Sequence, residues 1–301
     1  MDTNFFRTGI GGFRSINDKG DDMEMEYKII ADSCCDMTPE LREELDVTSV
    51  PLTLTLGEKS YVDDETLDLP AFMVAMKNCK ERIGSACPSP AQYCDTFEKD
   101  RTSFVVTLSN NLSGSHGSAV LGKKLAKEEK NAEVHVLDSK SASAGEILIT
   151  LKLRQWIEKG FKTQEILAKA HDFIDHMKTY FVLDSVENLM KNGRLNKVVG
   201  KIITVLHVKP LMGADGNGNI SLFSHARGDD QIVTKMTDTI TKSGKKTGGQ
   251  NVVITHCNNP TLAEKLKASI QKNFDFSRIL VVPTKGLSSV YANDKGIIMA
   301  F

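Results

Sequence analysis

The sequence lacks several features that mark specialised classes of protein. No apolar run approaches the ~20 residues that a membrane-spanning helix needs, and residues 1–26 do not have the basic-then-apolar order of a secretory signal. The 38 basic residues nearly cancel the 39 acidic ones, which argues against a general nucleic-acid clamp. We therefore expect a cytoplasmic protein with no transmembrane segment and no nucleic-acid partner.

The six cysteines also lack the spacing of a known framework. They contain no C-x-x-C pair, and Cys34 and Cys35 are adjacent. Reduced thiols, as in cytosolic proteins, are the expected state. We predict neither disulfides nor a metal site.

The 301 residues, 40% hydrophobic and 26% charged, suit a globular protein with two lobes. Residues 1–26 hold few apolar residues in any period, and we interpret them as a loose extension. We expect an α/β lobe over 27–165 and a smaller α+β lobe over 166–301. A helix starting near Thr163, with apolar residues at helical spacing, is expected to link them.

Five continuous, β-branched apolar runs predict buried strands at 27–31, 48–56, 103–108, 133–137 and 179–183. Helical patterns fall between most of these runs, which is typical of an α/β fold with a mainly parallel sheet. Beyond them, a helical pattern at 196–208 and a turn-rich "GADGNGN" stretch precede further alternating strands and helices. This mixture predicts an α+β lobe with a partly antiparallel sheet.

Small polar residues follow four of the predicted strands. Their positions are Asp32-Ser33, Ser109, Asp138-Ser139 and Asp184-Ser185. In an open parallel sheet the carboxyl ends of the strands share one edge, where ligands bind at the point of reversed strand order. We therefore expect these ends to meet at a ligand-binding crevice.

The stretch "NNLSGSHGSA" (110–119) follows one of these strand ends and begins a predicted helix. Gly114 and Gly117 let backbone amides approach a ligand, and Ser113 offers a hydroxyl donor. Unpaired amides at a helix start favour an anion. An ordinary serine-rich helix cap with a glycine turn is the alternative interpretation.

A second helix start lies in "GSACPSPAQY" (84–93), where Ser89 is the expected cap and Pro90 the first helical residue. Ser85 precedes this turn. A catalytic interpretation is also open, since Ser113 could be a nucleophile with His116 or His256 as its base. No G-x-S-x-G elbow or third partner supports it.

Taken in order, these stretches resemble the DegV family. The similar segments are "IIADSCCDMTPEL", "VPLTLTLGEKSYVDDETLDLPAF", "SACPSPAQY", "LSNNLSGSHGSA", "VLDSKSASAGE" and "LMKNGRLNKVVGKIITVLHVKPLM". The resemblance implies a Rossmann-like α/β lobe joined to a smaller α+β lobe. It also implies a buried fatty acid, such as palmitate, stearate or oleate, and no cofactor and no catalysis by the protein itself. A separate fatty-acid kinase with a dihydroxyacetone-kinase-like domain would phosphorylate the lipid.

The resemblance also implies roles for particular residues. Ser85 and Ser113 match the hydroxyl residues that bind the fatty-acid carboxylate, and Gly114 would add its backbone amide. Arg227 matches an arginine associated with kinase engagement. The family usually ends with an H-x-G-x-G motif, which is absent from "GLSSVYANDKGIIMAF". Either the hydroxyl of Ser289 or Tyr291 replaces the histidine, or the head group is held differently.

Three hypotheses follow. The first is a non-catalytic fatty-acid carrier, the second an acyl hydrolase or transferase that uses Ser113, and the third a divergent binder of another amphiphilic carboxylate. For the carrier, burial of a sixteen-carbon tail at ~0.8 kcal/mol per CH₂ contributes roughly 10 kcal/mol before ordering costs.

Overall fold

The computed structural model describes residues 27–195 and 208–301. The predicted extension 1–26 and nearly all of the predicted helix 196–208 lie outside these residues. The described strands are β1 (Tyr27–Asp32), β2 (Val47–Val50), β3 (Thr53–Leu56), β4 (Lys59–Val62), β5 (Ile83–Ala86), β6 (Thr102–Thr107), β7 (Val134–Asp138), β8 (Thr179–Val182), β9 (Lys209–Ala214), β10 (Ile220–Ala226), β11 (Asn251–His256), β12 (Arg278–Pro283) and β13 (Ile297–Ala300).

The helices of the same residues alternate with these strands. They are α1 (Pro39–Leu45), α2 (Leu69–Asn78), α3 (Pro90–Thr96), α4 (Ser115–Lys130), α5 (Ala144–Glu158), α6 (Thr163–His176), α7 (Glu187–Lys191), α8 (Gly228–Ser243), α9 (Pro260–Asn273) and α10 (Gly286–Ala292).

The strands form three sheets. The parallel sheet has the order β2-β1-β6-β7, and the mixed sheet has the order β10-β9-β8-β13-β11-β12. Only β11 and β12 pair in parallel within the mixed sheet. A small antiparallel sheet has the order β4-β3-β5. The predicted fold class, a parallel α/β sheet followed by a partly antiparallel α+β region, is confirmed. The division at residue 165 stays a prediction.

Two predicted strands differ from the structure. The run 48–56 is not one strand, because β2 ends before Pro51 and β3 joins the small sheet. Proline has no N–H to donate to a ladder, so the chain changes sheets there. The run 179–183 forms β8, which pairs antiparallel with β13 and β9 in the mixed sheet. It therefore does not share the edge of the parallel sheet.

Helix starts follow the predicted capping chemistry. The Thr38 hydroxyl accepts a hydrogen bond from the Leu41 amide at 3.2 Å. Ser89 and Gln92 form a reciprocal capping box ahead of α3, with Pro90 at its first position. These side chains satisfy amides that have no partner inside the helix.

Helix α5 lies between the parallel and mixed sheets and contacts strands of both. Every residue from Ala144 to Arg154 is buried, which explains why this segment shows little amphipathic pattern. Two of its buried charged side chains have hydrogen-bond partners, since the Arg154 guanidinium donates to the Leu45 carbonyl and Lys152 donates to Gln250. Both large sheets are covered on their outer faces by helices, α3 and α4 on one and α8 and α9 on the other.

The contact between α3 and α4 depends on a glycine. A Cβ at Gly122 would lie 2.7 Å from the Pro90 carbonyl oxygen and 2.8 Å from Tyr93 Cβ, whereas a Cβ at Gly117 would meet no atom within 4 Å. We expect Gly122→Ala to lower the free energy of unfolding by about 1–3 kcal/mol through overpacking. The matched variant Gly117→Ala should raise it by up to about 1 kcal/mol. Urea denaturation tests both, and equal effects of the two substitutions would contradict this packing account.

Candidate functional site

A cavity of about 340 Å³ lies where the parallel, mixed and small sheets meet. Its volume falls within the range of small-molecule sites. The apolar wall includes Leu52, Leu108, Leu112, Phe181, Leu183 and Ile298. Most of its surface is therefore suited to an apolar ligand rather than to a sugar or nucleotide.

Four of the predicted ligand residues lie together in the wall of this cavity: Ser85, Ser113, Gly114 and Tyr291. The Ser85 and Tyr291 hydroxyls are 2.9 Å apart and form a hydrogen bond. Because Gly114 is exposed and the other three are half-buried, this group is near the surface. We call these four residues the polar end of the cavity.

The start of α4 forms one side of the polar end. Gly114 is the N-cap residue and has no side chain to cap the helix. The Ser113 hydroxyl accepts a hydrogen bond from the Ser115 amide at 3.2 Å. First-turn amides have no partner within the helix and carry a partial positive charge, so this end suits an anionic group.

Two cations also line the cavity. Lys140 forms an ion pair with Asp175 at 2.7 Å. The Arg194 guanidinium donates to the carbonyls of Leu112, at 3.0 Å, and Asn192. The described wall contains no carboxylate. Sequence reasoning assigned no role to either cation, although Arg194 stands in the "KNGRL" stretch that carried part of the resemblance.

Two predicted residues lie elsewhere. Ser289 is buried, but its hydroxyl forms a hydrogen bond with Thr284 at 2.8 Å and is not part of the described cavity wall. Its neighbour Ser288 lines the cavity instead. Arg227 is exposed at the start of α8, and its guanidinium forms no hydrogen bond or ion pair with another described residue. Of the two predicted C-terminal hydroxyl residues, Tyr291 is the one that lines the cavity.

The two candidate histidine bases do not reach Ser113. His116 Nδ1 lies 3.4 Å from the Thr107 hydroxyl, and neither His116 nor His256 belongs to the described wall of the cavity. His256 Nδ1 accepts from the Asn259 amide at 3.3 Å, and burial lowers its pKa. The arrangement of described residues does not support the hydrolase hypothesis.

Three of the four predicted strand ends share one edge, and the fourth does not. None of the polar residues predicted at these ends lines the cavity, although the neighbouring residues Cys34, Leu108 and Lys140 do. Strands β1, β6 and β7 are parallel neighbours, and Asp138 accepts a hydrogen bond from the Asn110 amide across this edge. Asp184 follows a strand of the mixed sheet and forms an ion pair with Lys209. Neither Asp184 nor Ser185 lines the cavity.

Asp32, at the end of β1, is fully buried and organises this edge. It accepts hydrogen bonds from the Leu108 amide at 3.0 Å and from the Ser115 hydroxyl at 2.6 Å. Glu146 and Cys34 lie beside it. A carboxyl oxygen of Asp32, a carboxyl oxygen of Glu146 and the Cys34 sulfur all lie within 4.8 Å of one another. Burial, above all, raises the pKa of Glu146 well above its usual range, which favours its protonated form. Neither of its oxygens has a hydrogen-bond partner among the described residues. A neutral Glu146 avoids placing two buried negative charges side by side.

The cysteines are all free, as predicted. Cys34 lines the cavity, and its sulfur lies 3.9 Å from the Ser288 hydroxyl. Burial raises the pKa of its thiol well above the usual value. Because the thiolate is the reactive form, this shift disfavours Cys34 as a nucleophile.

The buried carboxyls predict a stability that falls as pH rises toward neutral. An unfolded Asp titrates near pH 4, whereas burial raises the pKa of Asp32 to about 6 and that of Asp36 to about 7. At a pH between about 4 and these raised pKa values, both aspartates are ionised in the unfolded chain but still protonated in the folded protein. Each group then lowers the free energy of unfolding by up to about 1.4 kcal/mol per pH unit.

Urea denaturation between pH 4.5 and 8 measures this effect. We expect the free energy of unfolding to decrease as the pH rises from 4.5 to about 7, the value to which the pKa of Asp36 is raised. Asp36→Asn, which cannot titrate, should make the decrease shallower. A stability that rises across this window would contradict the assignment of protonated buried carboxyls.

A largely apolar cavity whose polar end lies at a helix start defines a binding protein for a small amphiphilic molecule. Among residues 27–195 and 208–301, no helix combines the length and the apolar character that crossing a membrane requires. The chain belongs to the DegV family, since the family model described as "Uncharacterised protein, DegV family" matches residues 26–299.

Relatives of known sequence and structure agree with this membership. The chain is 35% identical over 280 residues to a DegV domain-containing protein of Streptococcus pneumoniae, which covers 92% of this chain and 99% of that protein. Its structure is similar to a DegV family protein of Ruminococcus gnavus refined with vaccenic acid, with a TM-score of 0.86 and 34% identity over 92% of this chain and 100% of that one.

Two further structures carry other fatty acids. The Streptococcus pneumoniae fatty acid kinase B3 protein, loaded with linoleic acid, has a TM-score of 0.85 and 35% identity over 92% of this chain and 99% of that chain. A DegV family protein of Eubacterium eligens, loaded with heptadecanoic acid, has a TM-score of 0.85 and 30% identity over 91% of this chain and 98% of that chain.

Proposed function

We propose that this protein binds a long-chain fatty acid and presents its carboxylate to a separate fatty-acid kinase, without catalysing a reaction itself. The observation that carries the proposal is the cavity, whose apolar wall ends at the hydroxyls of Ser85, Ser113 and Tyr291. The fatty acids bound by three relatives at 30–35% identity support the same ligand class.

The head group accepts hydrogen bonds from the hydroxyls of Ser85, Ser113 and Tyr291 and from the Gly114 amide. A carboxylate suits these donors because charge-assisted hydrogen bonds are about twice as strong as neutral ones. Lys140 and Arg194 supply positive charge in the same wall. The tail fills the apolar region, and each methylene that leaves water contributes ~0.8 kcal/mol.

Kinase engagement is proposed for the exposed Arg227. It follows β10, whose first residue, Ile220, lines the cavity. Seven strand residues at about 3.3 Å each separate Arg227 from Ile220 by roughly 20 Å, and Arg227 does not line the cavity. Arg227 would then contact the kinase and not the lipid. A dihydroxyacetone-kinase-like domain in that partner and a cytoplasmic location belong to the same proposal.

A thermal-shift panel tests the ligand class. Palmitate, stearate and oleate should raise the melting temperature in a concentration-dependent way. Short-chain carboxylates and inorganic phosphate should have no comparable effect, because they lack the tail. Stabilisation by a phosphate or by another amphiphile, without an effect of any fatty acid, would contradict the proposal.

A further inference from the structure

We propose that Asp36 and Asp63 are positioning residues of the lipid site, because they fix the start of α10 and thereby hold Tyr291 at the polar end of the cavity. This inference rests on the proposed fatty-acid binding. It gives a role to the acidic residues of "ADSCCD" and "YVDDE", two stretches in which no residue has been assigned to the ligand.

The contacts at the start of α10 are made by these two carboxyls. The Lys285 amide donates to Asp36 at 2.6 Å. The amides of Gly286 and Leu287 donate to the two oxygens of Asp63 at 2.9 and 3.0 Å. Three successive amides that have no partner within the helix are thus satisfied by side chains from distant loops.

The carboxyls are themselves held in place. Ser33 donates to Asp63 at 2.8 Å, and Ser143 donates to Asp36 at 2.5 Å. Both aspartates have no exposed surface. Their oxygens therefore define fixed points against which the first turn of α10 is placed.

The space around this turn leaves little freedom. A Cβ at Gly286 would lie 2.5 Å from an Asp63 oxygen and 2.6 Å from Leu67 Cδ2. Only glycine lets the backbone approach the carboxyl so closely. The start of α10 is thus fixed both by hydrogen bonds and by packing.

Helix α10 connects this anchored first turn to the ligand site. It contains only seven residues, and its members Ser288, Tyr291 and Ala292 line the cavity. Tyr291 lies about 7 Å along the axis from Gly286 at 1.5 Å per residue. Its hydroxyl forms the 2.9 Å hydrogen bond with Ser85. A shift of the first turn therefore moves the Tyr291 hydroxyl away from a head group at Ser85.

Asp63→Asn tests the inference, since its amide nitrogen replaces one of the two accepting oxygens. The matched control is Asp64→Asn, because among the described residues the Asp64 carboxylate accepts only from the local Thr66 amide and hydroxyl. Palmitate labelled with ¹³C at the carboxyl carbon, or at the terminal methyl, reports on the two ends of the bound lipid by NMR.

We expect Asp63→Asn to weaken palmitate binding about tenfold. The carboxyl resonance should move in the same direction as in Tyr291→Phe, while the methyl resonance stays in place and Asp64→Asn changes neither. In the Tyr291→Phe background the additional loss from Asp63→Asn should fall below about twofold, because the two residues act through one hydroxyl.

Unchanged affinity and an unchanged carboxyl resonance in Asp63→Asn would overturn the inference, as would a full tenfold loss in the Tyr291→Phe background. If Asp63→Asn does not fold, Asp36→Asn takes its place, since Asp36 bonds one amide of the same turn and the same outcomes apply. A wild-type protein that binds no palmitate would instead refute the proposed function.

Discussion

Replacement of Ala142 by tryptophan is expected to reduce fatty-acid affinity about a thousandfold while the protein still folds. Ala142 is half-buried in the cavity wall between the ends of β7 and α5. An indole ring at this position occupies space that would otherwise hold about five methylenes of the ligand. At ~0.8 kcal/mol for each methylene, the loss is about 4 kcal/mol.

Displacement of a fluorescent fatty acid measures this loss. The control is Ala168→Trp, because Ala168 is exposed on α6 and is not part of the described wall. It adds the same ring without filling the cavity, and it should leave affinity unchanged. Equal affinities of both variants and the wild type would show that the fatty-acid tail does not occupy this cavity.

The second large effect is expected at the polar end. Ser85→Ala and Ser113→Ala should each weaken fatty-acid binding by about 1–3 kcal/mol, since a buried charged acceptor loses a donor. In Ser85→Ala the Tyr291 hydroxyl also loses its partner at 2.9 Å. The effects of Ser85→Ala and Tyr291→Phe should therefore be non-additive.

Isothermal titration with two ligands separates a head-group effect from a general one. Palmitate carries the carboxylate, whereas hexadecanol has the same tail without the charge. Each serine variant should lose affinity for palmitate by several-fold more than for hexadecanol. Unchanged palmitate affinity in both variants would show that the polar end does not bind the carboxylate.

The parallel sheet could be predicted from the sequence because β1 and β6 are buried on both faces and, with the edge strand β7, show as continuous apolar runs. The same pattern did not reveal which sheet a run joins. β8 has a similar composition but pairs with β13, about 115 residues later in the sequence. Such long-range pairing leaves no local signal.

The polar end was predictable because its residues accompany helix starts with recognisable chemistry. Ser113 and Gly114 were found in this way, whereas Ser85, which lies in β5, was assigned only through the family resemblance; all three line the cavity. The choice between Ser289 and Tyr291 could not be made, because it depends on which side of α10 faces the cavity. In the structure Tyr291 lines the cavity, whereas the Ser289 hydroxyl forms a hydrogen bond with the Thr284 hydroxyl.

The anchoring of α10 also could not be predicted from the sequence. Asp36 and Asp63 are 27 residues apart and more than 200 residues from the amides that they bind. The motifs of both aspartates are visible in the sequence, but nothing in the sequence indicates which amides they bind. Their contacts exist only because the small sheet and α10 pack against each other in the folded protein.

Mass spectrometry of the small molecules released when freshly purified protein is denatured tests the central claim most directly. The account predicts a long-chain fatty acid, close to one per protein molecule, that is absent from an identically treated Ala142→Trp preparation. Release of no acyl chain, or of equal amounts from both preparations, would contradict the claim that this cavity holds a fatty acid.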